Sequence, residues 1–216
     1  MKDYSLQQIQ LRVRKIWLNE MFDFCETQLE PTSAAVMSHF IKFEADCQTI
    51  QIIYNSLSAG GMPNSVNREM ERKKYISKVG YLYPERDQKL KDVTNQRDLL
   101  AAVEGTAYEK MLSQVAMGDD RNEAESNEIT IDDAMQSEQS RVYSMGFEGG
   151  FHVGCFFAYM KLKELEIKNV TWLAELVQMQ VSRNLPGWNK FISPFQYHYN
   201  DNVAKWRKRN FIRKWI

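Results

Sequence analysis

An all-α fold, a multi-helix bundle without a sheet, is the class this sequence predicts, and three observations predict it. Apolar residues recur at three- and four-residue steps through most of the chain. Glycine and proline signals such as Gly60, Gly61 and Pro63 fall between the periodic segments. No run rich in valine, isoleucine and threonine keeps the two-residue alternation of a strand.

The elements follow in order. Residues 4–29 place Ile9, Val13, Ile16, Trp17, Met21 and Phe24 on one helical face, which predicts a packed helix. Pro31 interrupts, and Thr32 or Ser33 can cap a new helix. That second helix carries Val36, Phe40, Phe43, Cys47, Ile50, Tyr54 and Leu57 at alternating steps of four and three, a narrow seam for one neighbouring helix. A loop is expected over 58–63, then a mostly exposed helix over 64–77. Short helices are expected over 85–91, 96–103 and 108–117, after a break at Gly80 to Pro84.

Asp119, Asp120, Glu123, Glu125, Glu128, Asp132, Asp133 and Glu138 form an acidic stretch that reads as a solvated loop leading into a helix. One long helix over 131–181 is expected last, bent at Gly146, Gly149, Gly150 and Gly154. Its later half aligns Cys155, Ala158, Leu162, Leu165, Asn169, Trp172, Leu176 and Met179. Asn169 is the polar member of that stripe and must find a partner or destabilise it.

Composition narrows the function. The chain has 216 residues, 44% of them hydrophobic, enough for a real core. Its 28 basic and 28 acidic residues leave no net field to attract nucleic acid or anionic lipid, so any electrostatic role is local. Cys25, Cys47 and Cys155 are far apart and form no CxxC pair, which points to a reducing compartment. His39, His152 and His198 lack metal-ligand spacing, and the GGxxxG at Gly149 lacks the lysine and hydroxyl of a phosphate loop. Glu44 and Asp46, two apart on a helix, point in different directions and read as salt-bridge partners rather than an acid–base pair. No cofactor, metal or catalytic set is expected, and no window reaches about 18 apolar residues, the usual minimum for a span.

Three blocks carry a resemblance. Phe43, Glu44, Ala45 and Asp46 lie within KFEADCQTIQIIYNSL; Gly80 to Glu85 reads GYLYPE, with Tyr83 and Pro84; and FHVGCFFAYMKLKELEIKNVTWLAE runs over 151–175. In order and spacing they resemble the subunit d family of vacuolar-type proton ATPases, which has its counterpart in archaeal rotary ATPases, over roughly the C-terminal half of that family. Gly149 with Gly150, and Cys47 with Gln48, depart from its pattern.

The resemblance implies helical bundles in a non-catalytic membrane-sector subunit that couples the central stalk to the proteolipid rotor ring, peripheral at the cytosolic face of acidic endomembranes. The interaction residues it implies are Phe43, Glu44, Asp46, Tyr83, Pro84, Lys161, Lys163, Glu164, Glu166, Lys168, Asn169 and Trp172. By stripe position Phe43 and Trp172 read as core rather than contact. The charges from Lys161 to Lys168 suit a solvated face or an interface equally.

The helical unit is expected over 1–195. Beyond it, 196–216 interleaves Lys205, Arg207, Lys208, Arg209, Arg213 and Lys214 with Trp206 and Trp215. Such a segment could dock on the protein's own acidic stretch, lie on an anionic membrane surface, or stack on RNA; of these nucleic acid is the least expected. The rival to the coupling role is therefore a helical adaptor held at membranes by this tail.

Overall fold

Helix α1 (Leu6–Gln28) and helix α2 (Pro31–Ser58) are joined by two residues and pair antiparallel through Ser38 with Glu26, Arg14 with Glu44 and Gln48 with Leu11. α2 starts at Pro31, whose fixed φ suits a first helical position, so Thr32 and Ser33 lie inside the helix and do not cap it as expected. The computed structural model describes residues 6–58, 72–119, 130–148, 150 and 152–180. Nearly all of the expected loop over 58–63, most of the expected helix over 64–77, half of the acidic stretch and the whole basic tail lie outside them. Of 64–77, residues 72–75 are helical.

The remaining helices are α3 (Asp87–Asp92), α4 (Gln96–Val103), α5 (Glu109–Asp119), α6 (Ile131–Met145) and α7 (Gly154–Gln178), and no strand occurs among the described residues. The fold is all-α, as the sequence predicts. The three short helices stand where the periodicity puts them, within two residues at either end. Asn95 caps α4 through a 2.8 Å bond from the Asp98 amide, and Thr130 with Asp133 forms a capping box at the start of α6.

α2 is the axis of the bundle. The expected narrow seam is present, but the helix is also buried on its other sides: Ile41, Ala45 and Ile53 are fully enclosed along with Phe40, Phe43 and Ile50. α1 covers one side and α4, α6 and α7 cover the others. The aromatic centre is Phe40, whose ring meets Tyr143 edge-on at 5.2 Å and stacks on Phe157 at 6.1 Å.

α1 corrects the sequence reading. The face with Ile9, Val13, Ile16, Trp17 and Phe24 is exposed, while Leu18 and Cys25 are fully buried beside partly buried Met21, Phe22 and Leu29. The buried stripe, spaced Leu11, Lys15, Leu18, Phe22, Cys25 and Leu29, hides a lysine, so its apolar signal is broken. The reason Lys15 belongs there is chemical: its amine donates to the carbonyls of Lys73 and Lys74 at 3.3 and 3.1 Å, satisfying acceptors of the 72–75 helical turn. Two arginines do similar work. Arg72 is buried and donates to the carbonyls of Lys91 and Val93 at the end of α3 and to Ser56 of α2, and Arg86 donates to the Ala102 carbonyl in α4.

The long final helix is likewise corrected: it breaks rather than bends. α6 stops at Gly146, where an added Cβ would lie 2.7 Å from the Phe40 ring and 3.2 Å from Ala158, so the chain passes too close to α2 for any side chain. Gly150 then takes φ +93, a left-handed conformation that turns the backbone out of helical register. Cys155 Sγ donates to the carbonyls of Gly146 and Gly150, and Ser33 Oγ accepts from the Val153 amide, tying this turn to α7 and α2.

On α2, Gln48 is 3% exposed; its Nε2 donates weakly to the Leu11 carbonyl at 3.4 Å, and its Oε1 is buried with no donor among the described residues. An unmet buried acceptor is destabilising by roughly 1–3 kcal/mol. Gln48→Met keeps the length and removes the acceptor, so it is expected to stabilise the chain by about 1 kcal/mol. Urea unfolding of the two proteins checks this; an unchanged or lower midpoint contradicts it.

Candidate functional site

The block Phe43 to Asp46 forms the junction on which the bundle is tied together. Two carboxylates leave α2 on opposite sides, as a two-residue spacing on a helix requires, and each meets a tyrosine from a distant helix. Phe43, 3% exposed, lies between those tyrosines: its ring stacks on Tyr108 at the start of α5 at 6.2 Å and meets Tyr143 of α6 edge-on at 6.1 Å.

Glu44 is 2% exposed and joins four helices. Arg14 of α1 donates to Oε2 at 2.7 Å, the Tyr143 hydroxyl of α6 donates to Oε1, and the Lys161 amine of α7 is 3.5 Å from Oε1. Burial by itself would push this carboxyl up. Lys161, then Arg14, and the Tyr143 hydrogen bond outweigh burial and hold it below the ordinary carboxylate range. The salt-bridge reading is thus right for Glu44, although the pair is interior rather than on the surface. Tyr143, buried against that charge, is pushed well up and stays a neutral donor.

For Asp46 the salt-bridge reading is corrected. Its carboxylate, 2% exposed, accepts from the amides of Tyr81 and Leu82 at 2.9 and 3.2 Å and from the Tyr108 hydroxyl at 2.8 Å. It therefore anchors the Gly80 to Pro84 turn to α2 and α5, with no cation among the described residues. Gly80 allows this approach: it has φ +135, and a Cβ there would lie 2.2 Å from Asp46 Oδ1. Without a cation, burial dominates, and it raises the Asp46 carboxyl to about 6 against the three hydrogen bonds.

A pH dependence follows from that rise. The folded chain binds the Asp46 proton more tightly than the unfolded chain, so this group's stabilisation is present at low pH and is lost as pH rises through about 6. Asp46→Asn has nothing to titrate. The stability difference between the parent and Asp46→Asn is expected to move in the parent's favour by roughly 2–3 kcal/mol from pH 7 to pH 4. Glu44, whose carboxyl is lowered, loses its contribution over the acidic end of that window, but it does so in both proteins and cancels. Urea titrations at the two pH values test this, and a constant difference would refute it.

The third block lies along α7. Lys161 is half-buried over Glu44 and also pairs with Glu164 at 3.3 Å, as its three-residue spacing predicts, and Lys163 pairs with Glu166 at 2.6 Å on the exposed side. Asn169 is buried and has a partner. Trp172, expected in the core, is instead 40% exposed, although Asn169 before it and Leu176 after it on the same stripe are buried. Arg14, Trp17, Lys161 and Lys168 line a cavity of about 300 Å³ above Glu44, between α1 and α7. Tyr83 and Pro84 are exposed and joined by a cis peptide bond. Lys205, Trp206, Arg207, Lys208, Arg209, Arg213, Lys214 and Trp215 lie outside the described residues.

The structure thus brings Phe43, Glu44 and Lys161 together, sets Asp46 beside the Tyr83 turn, and leaves Lys163, Glu166 and Lys168 at the surface. Arg14, Tyr108 and Tyr143 complete the junction and were missed in the sequence, since nothing in their local spacing marks them. Every oxygen of the two carboxylates accepts from donors of the chain itself, an arrangement that ties the helices together. Among the described residues no group of three or more His, Cys, Asp or Glu could hold a metal ion.

The sequence as a whole is similar to known proteins. The family described as "ATP synthase (C/AC39) subunit" matches residues 1–186. The V-type proton ATPase subunit d2 of Arabidopsis thaliana is 31% identical over 185 residues, 84% of this chain and 48% of that protein. The V-type proton ATPase subunit d of Dictyostelium discoideum is 28% identical over 89% of this chain and 49% of its own length. That of Saccharomyces cerevisiae is 22% identical over 89% and 50%. This chain spans about half the length of the curated relatives it matches. With an all-α bundle, three sequence blocks in register and a family match over most of its residues, the chain belongs to the ATP synthase (C/AC39) subunit family.

Proposed function

We propose that this chain is a non-catalytic subunit of a vacuolar-type proton ATPase, in its membrane sector, passing torque between the central stalk and the proteolipid rotor ring. The observation that carries the reading is the Glu44 junction. A part that transmits twist needs helices that cannot slide past one another, and Glu44 pins α1, α2, α6 and α7 at one buried point. The names of the relatives, V-type proton ATPase subunit d in Arabidopsis and Dictyostelium, support the assignment to that machine.

In this role the chain works from the cytosolic face of acidic endomembranes. No helix among the described residues is long and apolar enough to cross a membrane. The hold on the membrane in this proposal is through neighbouring subunits. The surface pairs Lys163 with Glu166 and Lys161 with Glu164, together with Lys168, Tyr83 and Pro84, supply the contacts to those neighbours.

Affinity purification of the tagged chain from cells tests the proposal. Ring and central-stalk subunits are expected to copurify with the full chain and equally with a chain lacking residues 196–216. Recovery of neither the ring nor the stalk overturns the reading. Copurification that depends on 196–216 would favour the membrane adaptor instead.

A further inference from the structure

α7 is apolar on both sides. Its inner face, Ala158, Leu162, Leu165 and Leu176, is buried in the bundle. Its outer face carries Phe156, Met160, Lys163, Ile167, Val170, Ala174 and Val177, spaced by alternating steps of four and three from end to end. That spacing is the seam of a two-helix coiled coil, extending about 30 Å along the helix at 1.5 Å per residue. The seam is open: Ile167, Val177 and Val170 are 64%, 61% and 58% exposed, and Met160 is 56%.

A surface helix needs one apolar face for its own core, and α7 has a second one beyond that. An exposed apolar strip of this length, broken by one charged step at Lys163 with Glu166 beside it, marks a place where another helix lies. A single polar residue inside such a seam sets register rather than preventing association.

We infer that the outer seam of α7 docks a helix from the half of the family fold that this chain does not span. The occupant is argued from length: the matched relatives in Arabidopsis and Dictyostelium are covered over 48% and 49% of their own sequences, so in this family as much chain again accompanies the part present here. A second apolar seam, three or four residues to the step, is the chemistry required of the docked helix. The inference rests on family membership and not on the coupling role.

The test mixes the full chain with a separately purified polypeptide comprising the part of the Arabidopsis subunit d2 that lies outside the match. Size-exclusion chromatography with light scattering is expected to show a one-to-one complex. Ile167→Glu combined with Val170→Glu is expected to weaken that complex at least 30-fold by fluorescence anisotropy, with thermal unfolding of the free chain unchanged because both sites are exposed. Lys89→Glu, on the surface of α3, should leave binding as it was.

Absence of a complex, or one that the double substitution does not weaken, overturns the inference. So does a parent chain that is already a dimer and becomes monomeric on the double substitution, since the occupant is then a second copy. A complex that forms only after residues 181–216 are deleted also overturns it, because the chain's own tail would then cover the seam. No ring or stalk subunit is present in this mixture, so its failure is distinguishable from failure of the coupling role.

Discussion

Glu44→Ala is expected to lower the stability of the chain by about 3 kcal/mol, the range found when a buried ion pair loses one member. For a chain of this size that corresponds to a fall of roughly 6–12 °C in Tm. The loss has two sources. The Tyr143 hydroxyl, deep in the core, is left with no carboxylate to receive it, and the removed side chain leaves space between four helices. The cations contribute less, because Arg14 is 46% exposed and can turn to solvent. Glu44→Gln should therefore recover part of the loss: it keeps the volume and an acceptor for Tyr143 while giving up the charge. Calorimetry of the three proteins decides the matter, and equal Tm values for the parent and the alanine variant would show that the junction holds nothing together.

Gly80→Ala has the second largest expected effect, about 3 kcal/mol, of which the positive φ accounts for roughly 1–2 kcal/mol. The rest is displacement of Asp46, whose carboxylate oxygen stands 2.2 Å from where the new methyl group would be. Moving it breaks the bonds from the Tyr81 and Leu82 amides and from Tyr108 together. Gly150→Ala is the control, since Gly150 also has a positive φ but an added Cβ there meets nothing within 4 Å. It should show the backbone effect alone. If the two alanine variants unfold at the same urea concentration, the close approach of Asp46 contributes nothing.

These two positions also show which parts of the molecule were legible in its sequence. The helical class and the short helices α3 to α5 were readable because each is encoded within a few residues: a periodic stripe and a glycine or proline stop. The inner face of α1 was misread because Lys15 interrupts it, and a lysine that caps a distant turn looks the same in sequence as one in water. The break between α6 and α7 was read as a bend, since glycines announce weakness in a helix but not how near a neighbouring ring will come. The candidate residues Phe43, Glu44 and Asp46 were found by resemblance, yet their partners Arg14, Tyr108 and Tyr143 lie 30 to 99 positions away and carry no local mark. Long-range pairing is set by packing, which a one-dimensional pattern does not encode.

The span of the Glu44 contacts shapes the order in which the chain assembles. Arg14 arrives through the local α1–α2 hairpin, a contact 30 positions long, whereas Tyr143 closes a loop of 99. Loop closure grows slowly more unfavourable with length, so an early hairpin and a later docking of α6 are the expected order. The hairpin alone does not enclose the carboxylate, because Tyr143 and Lys161 come from α6 and α7. Removal of water from Glu44 is thereby deferred to the final collapse, when the phenol and ammonium that compensate it arrive on α6 and α7.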